Sequence, residues 1–307
     1  MKNKTNETKL AGQYTYADLV TLASKSAVAV ALVLLLSKLY AWWVSGSGAM
    51  LASTTDSLLD VFASLLSFIM IRFSLAPADE KHKFGHGKAE NLAALMQSSF
   101  VLGSAILLLF HGANRIYDPV EVTHTNVAIG VSLLAIVLTL ALVLLQKKVI
   151  AKTDSVAITA DSLHYQSDLL LNLGVIIALL LNQYQWPQAD GLYTVIVGVF
   201  LFVGAIKIVI KSLQDLMDRE LSEQDRKVIE DIIAKHPQVH GFHQLRTRQA
   251  GPTRFIQFHL ELDDDLSLFE AHQISDQVEQ MLLATFSDTE VFIHQDPISL
   301  VTEHRQR

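Results

Sequence analysis

The 307-residue chain is 50% hydrophobic with a mean hydropathy of +0.33, too apolar for an ordinary soluble protein of its size. It contains no cysteine, which excludes disulfides and thiolate metal sites, and so argues against a Cu(I) carrier or an iron–sulfur protein. The net charge of −7 is unevenly placed: from Leu213 onward there are 18 acids and 9 Lys/Arg, against 13 and 15 before it, and an acidic tail speaks against nucleic-acid binding.

The first twenty residues are polar and contain no short apolar core or small-residue cleavage site, so no cleavable signal peptide is expected. Six apolar stretches then follow, each near the ~20 residues needed to cross a ~30 Å hydrocarbon core. They run roughly 22–44, 49–73, 91–113, 126–145, 156–181 and 192–210. One set of flanks carries Lys2, Lys4, Lys9, Lys25, Arg72, Lys81, Lys83, Lys88, Lys147, Lys148 and Lys152, while the opposite loops offer only Arg115. The bias places both termini in the cytoplasm. Trp42, Trp43, Tyr117, Tyr184 and Trp186 suit an outer aromatic belt. Lys38 is expected to snorkel to that surface.

Two of the six stretches are interrupted by ionisable groups. Asp56 and Asp60 lie in the second, His164 and Asp168 in the fifth. Such a group in hydrocarbon costs at least ~2.5–3.5 kcal/mol, so it usually marks a pathway or a binding site. A spacing of four puts each pair on one helix face. At ~1.5 Å per residue, opposed spans place Asp56 level with Asp168 and Asp60 level with His164, near mid-membrane. Three carboxylates and one imidazole form a tetrahedral set suited to a divalent metal such as zinc. Asp161 shares the face of His164 and Asp168, either lining a path inward or serving as a helix-start acid.

Beyond Leu213 the pattern becomes that of a soluble domain. A helix is expected over Ser222–His236, strands over Val239–Arg248 and Arg254–Leu262 around a Gly251-Pro252 turn, a helix over Ser267–Phe286, and a last strand over Val291–His294. Residues 1–212 therefore read as a transmembrane domain of six helices. Residues 213–307 read as a cytoplasmic α+β domain of order αββαβ, ferredoxin-like or metallochaperone-like.

Six spans, DSLLD (Asp56–Asp60), HYQSD (His164–Asp168) and the αββαβ tail together resemble the cation diffusion facilitator family, in particular its YiiP-type bacterial zinc/proton antiporters. The resemblance implies a transport site of Asp56, Asp60, His164 and Asp168, with one His and three Asp associated with Zn2+ and Cd2+; Fe2+ stays open. It implies a loop site of Asp79, His82 and His86 in ADEKHKFGHGKAE, and a binuclear zinc site of His243, His259, His272, His294, Gln295 and Asp296 at a homodimer interface. It further implies an ion pair between Lys88 and Asp218 acting as a hinge, and a gating role for Leu163. His111, His124, His236, His240 and His304 match none of these sets and read as structural or solvent-exposed.

The expected activity is export of divalent metal, Zn2+ above all, from the cytoplasm across the bacterial inner membrane in exchange for protons, with His164 carrying the coupling proton. Zn2+ is then both cargo and a structural or regulatory ligand, and the partners are metal ions, protons, the lipid bilayer and a second copy of the chain. Two rival classes are a metal sensor without transport and a membrane metallohydrolase. Four protein ligands would leave a tetrahedral zinc no open catalytic position, which weighs against the second.

Overall fold

The computed structural model describes residues 14–46, 48–118, 126–182 and 188–305. Lys2, Lys4, Lys9, His124, Tyr184 and Trp186 of the sequence expectations lie outside the described residues, as does the side chain of His304. Two compact units are formed: residues up to Ala76 together with Ala89–Ser212, and Pro77–Lys88 together with Leu213–Arg307. The second unit thus begins with the loop that follows the second apolar stretch, whereas the sequence reading had placed that loop with the helices.

The first unit consists of α1 (Tyr16–Ser45), α2 (Gly48–Ser74), α3 (Lys88–Tyr117, from Ala89), α4 (Asn126–Thr153), α5 (Val156–Asn182) and α6 (Ala189–Leu216, to Ser212). Among the described residues, α1, α2, α3, α4 and α6 contain stretches long and apolar enough to cross a membrane by length and composition, and α5 is the helix that bears Asp161, His164, Gln166 and Asp168. The helices overrun the apolar stretches for local reasons. Thr15 and Asp18 form a reciprocal capping box that starts α1 ahead of its hydrocarbon segment. At the other end of α1, Gly46 stands at φ 60°, the left-handed conformation that closes a helix most easily with glycine.

Packing inside this unit is asymmetric along the helix axes. At the end bearing the α2–α3 and α4–α5 connections, Val20, Ala23, Ile71, Ala93, Val149, Ala157 and Ile158 form a buried cluster from five helices. Ala94 and Val101 of α3, Ala160 and Leu163 of α5, and Leu201 and Ala205 of α6 form a second. Among these apolar groups sits Glu90, 4% exposed, accepting hydrogen bonds from Tyr16 Oη at 2.6 Å and Ser155 Oγ at 2.5 Å. One carboxylate of α3 thereby joins α1 to Ser155, the residue just before α5. Nearer the opposite end, α3 and α6 meet backbone to backbone: a Cβ added at Gly112 would lie 3.0 Å from Gly191 O, and the Arg115–Asp190 ion pair at 2.7 Å lies beside this crossing.

The second unit holds α7 (Glu223–Ala234), β1 (Gly241–Ala250), β2 (Thr253–Leu262), α8 (Leu268–Thr285), β3 (Thr289–Pro297) and α9 (Ile298–Arg305). The three strands are ordered β1-β2-β3, with β1 antiparallel and β3 parallel to β2. Ser222 caps α7, and a Ser267–Glu270 capping box starts α8. Ile256, Phe258, Leu260 and Leu262 alternate onto one sheet face and pack against Ile229 and Ile233 of α7 and Ile274, Val278 and Leu282 of α8. The final helix α9 is an addition to the expected αββαβ order.

Replacing Glu90 by alanine leaves Tyr16 and the buried Ser155 hydroxyl without their acceptor. A loss of roughly 1–3 kcal/mol is expected, read as a lowered Tm of the detergent-solubilised protein; an unchanged Tm would show that these bonds contribute nothing net.

Candidate metal-transport site and associated metal-ligand clusters

Tyr165, 1% exposed, fixes the rotation of α5: its hydroxyl donates to Ala27 O of α1 at 3.0 Å and lies 2.8 Å from Ser64 Oγ of α2. With Tyr165 anchored there, the neighbouring His164 is turned into a cavity of about 1160 Å3. His164 Nε2 lies 3.3 Å from Asp60 Oδ1 and 3.7 Å from Asp168 Oδ2. Ligand atoms of these three residues fall within 4.8 Å of one another, a separation that one metal ion can span. Asp56 lines the same cavity one turn earlier on α2 but is more exposed and stands outside the tight cluster.

The cavity runs from this cluster toward the end bearing the α1–α2 connection, reaching Met50, Lys38, His111 and Asn114. Lys38 and His111, which the sequence suggested were a snorkelling and a structural residue, are therefore cavity residues. Toward the other end the apolar clusters close the helices together. Leu163, 6% exposed, belongs to that closure, and a Cβ added at Gly204 of α6 would lie 3.0 Å from both of its methyl groups. Asp161, 1% exposed, does not line the cavity; it accepts a hydrogen bond from Gln146 Nε2 at 2.7 Å.

The loop residues also come together. Asp79 Oδ1 is 3.2 Å from His82 Nδ1, Asp79 Oδ2 is 3.3 Å from His86 Nε2, and the two histidine nitrogens are 3.1 Å apart. Backbone N–H donation from His82, reinforced by its side chain and by the N–H of Lys81, holds the Asp79 carboxyl below the usual carboxylate range. Gly85 turns the loop at φ 77°, and Gly87 approaches Ala250 O of β1 so closely that a Cβ would not fit. Phe84 lies edge-on to Phe255, their centroids 5.8 Å apart, and the Arg248 guanidinium sits over both rings.

Across the sheet, His243, His259 and His294 are register partners on β1, β2 and β3. Asp296 Oδ2 is 2.7 Å from His259 Nδ1 and 3.3 Å from His243 Nε2, while its Oδ1 is 3.2 Å from His294 Nε2. Two of the expected residues lie apart from this row. Gln295 turns the other way, donating to Ser275 Oγ at 2.9 Å and to Ala271 O at 3.3 Å on α8. His272 is exposed on α8, with no contact to the row among the described residues. Glu261, 4% exposed and 3.0 Å from His243 Nδ1, is a member that the sequence reading missed. Its position two residues after His259, on the same strand face, was the signal that could have found it.

Lys88 Nζ is 2.9 Å from Asp218 Oδ1 and also donates to Leu216 O at 3.0 Å. Asp218, at φ 61°, meets Arg248 as well, at 3.5 Å.

Residues 24–217 match the cation efflux transmembrane domain, and residues 221–298 match the cytoplasmic domain of cation efflux proteins. The chain belongs to the cation efflux family. It is 53% identical over 281 residues to the cation-efflux pump FieF of Shewanella oneidensis, covering 92% of this chain and 95% of the relative. Against FieF of Escherichia coli O127:H6 it is 45% identical over 293 residues, covering 95% and 98%. A solved structure of the metal-bound C-terminal domain of the CzcD transporter from Thermotoga maritima aligns with 25% of this chain and 95% of its own length, at 27% identity and a TM-score of 0.24. The chain is thus a multi-pass membrane transporter of metal cations and not an enzyme.

Because Glu261 holds His243 from behind the row, Glu261→Gln is expected to weaken the row's affinity for an added divalent metal about 10- to 100-fold. Titration of the full chain with a zinc-sensitive competitor checks this, and unchanged affinity would make Glu261 a packing residue only.

Proposed function

We propose that this protein exports Zn2+ from the cytoplasm across the bacterial inner membrane in exchange for protons, by alternating access. The observation that supports it most strongly is the Asp60–His164–Asp168 cluster, set among membrane-type helices in a cavity that is packed shut on one side. Asp56, on the same helix face and in the same cavity, supplies the fourth ligand once metal enters. An imidazole with carboxylates suits zinc better than a hard ion such as manganese, and Cd2+ and Fe2+ are secondary candidates.

The chemistry follows from ligand protonation. A metal ligand must be deprotonated, so zinc arriving from the cytoplasm displaces a proton from His164, and protons outside compete the metal away. Histidine is the side chain whose ordinary titration range lies nearest neutral pH, which makes His164 the coupling residue. With both termini cytoplasmic, the cavity reaching Lys38 and His111 faces outward, and the Leu163 layer with the Tyr16–Glu90–Ser155 bonds closes the inner side. Leu163 then acts as the gate for water, and inward opening requires those contacts to part.

The remaining clusters take supporting roles. Asp79, His82 and His86 form an open, readily exchanging zinc site. The His243, His259, His294 and Asp296 row, backed by Glu261, forms the zinc site of a homodimer interface, and Lys88 with Asp218 serves as the hinge at the foot of α3. His272 and Gln295 can join that interface site only if their side chains turn toward a partner subunit.

Sealed liposomes with a trapped zinc dye provide the test. Under an imposed pH gradient, wild-type flux should follow the gradient, and Asp60→Ala should abolish it. Flux unchanged by Asp60→Ala would remove this cluster from the mechanism. Tight zinc binding without any wild-type flux would favour a sensor.

A further inference from the structure

Lys38 carries a charge that the four-ligand site does not use. It sits on α1, seven residues before the helix ends at Ser45, while Asp56 sits eight residues after α2 begins at Gly48. In an antiparallel pair joined by so short a turn, ~1.5 Å per residue puts both at nearly the same height. The two residues line one cavity, together with Asp60, His164 and Asp168. Lys38 forms no ion pair within 4.0 Å among the described residues. The titratable groups that line the cavity with it are Asp56 and Asp60 from α2, His164 and Asp168 from α5, and His111 from α3. A lysine that merely reached for water at the membrane surface would have no reason to line a cavity of carboxylates.

We propose that Lys38 is a tethered counter-cation that lowers the zinc affinity of the open cavity and speeds release of the metal. This rests on the transport reading above. When the site is empty, three aspartates remain together in the cavity, and a positive charge on a flexible four-carbon stem compensates them without leaving the protein. When zinc occupies the site, the same ammonium faces a divalent cation and repels it. The carboxylates are thus shared in turn between a mobile ion and a fixed one. Because an ammonium never becomes a metal ligand, the competition acts through charge alone, and it should depend on the charge of residue 38 rather than on its shape.

The test uses full-length protein in proteoliposomes of defined orientation, with transport measured against zinc added on the release side. Lys38→Gln is expected to be inhibited by release-side zinc at about tenfold lower concentration than wild type, with KM and kcat both reduced because release is slowed. Lys38→Arg should keep the wild-type midpoint, and Lys38→Met, uncharged and of similar length, should behave like the glutamine. Equal midpoints for wild type, Lys38→Gln and Lys38→Met would overturn the proposal. So would equal losses in Lys38→Arg and Lys38→Gln, the pattern of a packing residue. Failure of the transport reading looks different: wild type shows no flux, or Asp60→Ala transports normally, and the role of Lys38 falls with it.

Discussion

A carboxylate in hydrocarbon needs a compensating partner, and the helical unit is arranged around that requirement. Asp60 and Asp168 cannot be satisfied by lipid, so the faces of α2 and α5 that bear them must turn toward each other and toward the imidazole of His164. That orientation is set one residue away. Tyr165 is buried and bonded to α1 and lies against α2, so α5 cannot rotate without breaking contacts on its opposite side. The polar groups that α5 carries within its apolar sequence thus help to set its place in the bundle.

Closure at one end and a cavity at the other arise from different chemistry. Small and branched apolar side chains, including Ala94, Ala160, Leu163 and Ala205, let α3, α5 and α6 pack closely. Glu90 lies within this apolar region and is tolerated because two hydroxyls donate to it. The cavity half instead presents Lys38, Asp56, Asp60, His111, Asn114 and Asp168, a lining that holds water and ions better than side-chain packing. Parting the closed end would expose apolar surface and break the bonds to Glu90.

Much of this was legible in the sequence because the signals were periodic. A spacing of four on an apolar helix placed His164 with Asp168, and strict alternation placed Ile256, Phe258, Leu260 and Leu262 in the tail core. What stayed hidden depended on contacts between distant segments. Phe84 in a polar loop gave no hint that it would meet Arg248 and Phe255, and so the loop's membership of the tail unit was missed. Lys38 looked like a residue seeking the membrane surface because its height alone was readable, while its neighbours depend on how α1 lies along α2. Helix α9 has no apolar period long enough to announce it.

The three clusters also differ in how their ligands are held, and the difference follows from backbone type. On β1, β2 and β3 the register fixes three histidines side by side before any metal is present, so little ordering remains when one binds. In the loop no ladder does this. Order there comes from Gly85 and Gly87, which allow the turn and the close approach to β1, and from Phe84, held beneath Arg248. Arg248 also reaches Asp218, the acid paired with Lys88 at the first residue of α3. The geometry of Asp79, His82 and His86 is therefore maintained by the tail sheet and by the charges around Asp218, although those ligands lie in sequence between two membrane helices. In the helical unit the ligands depend on neither device: Asp60, His164 and Asp168 are placed by helix periodicity and by the anchoring of Tyr165, so a rotation of α5 would disturb them together.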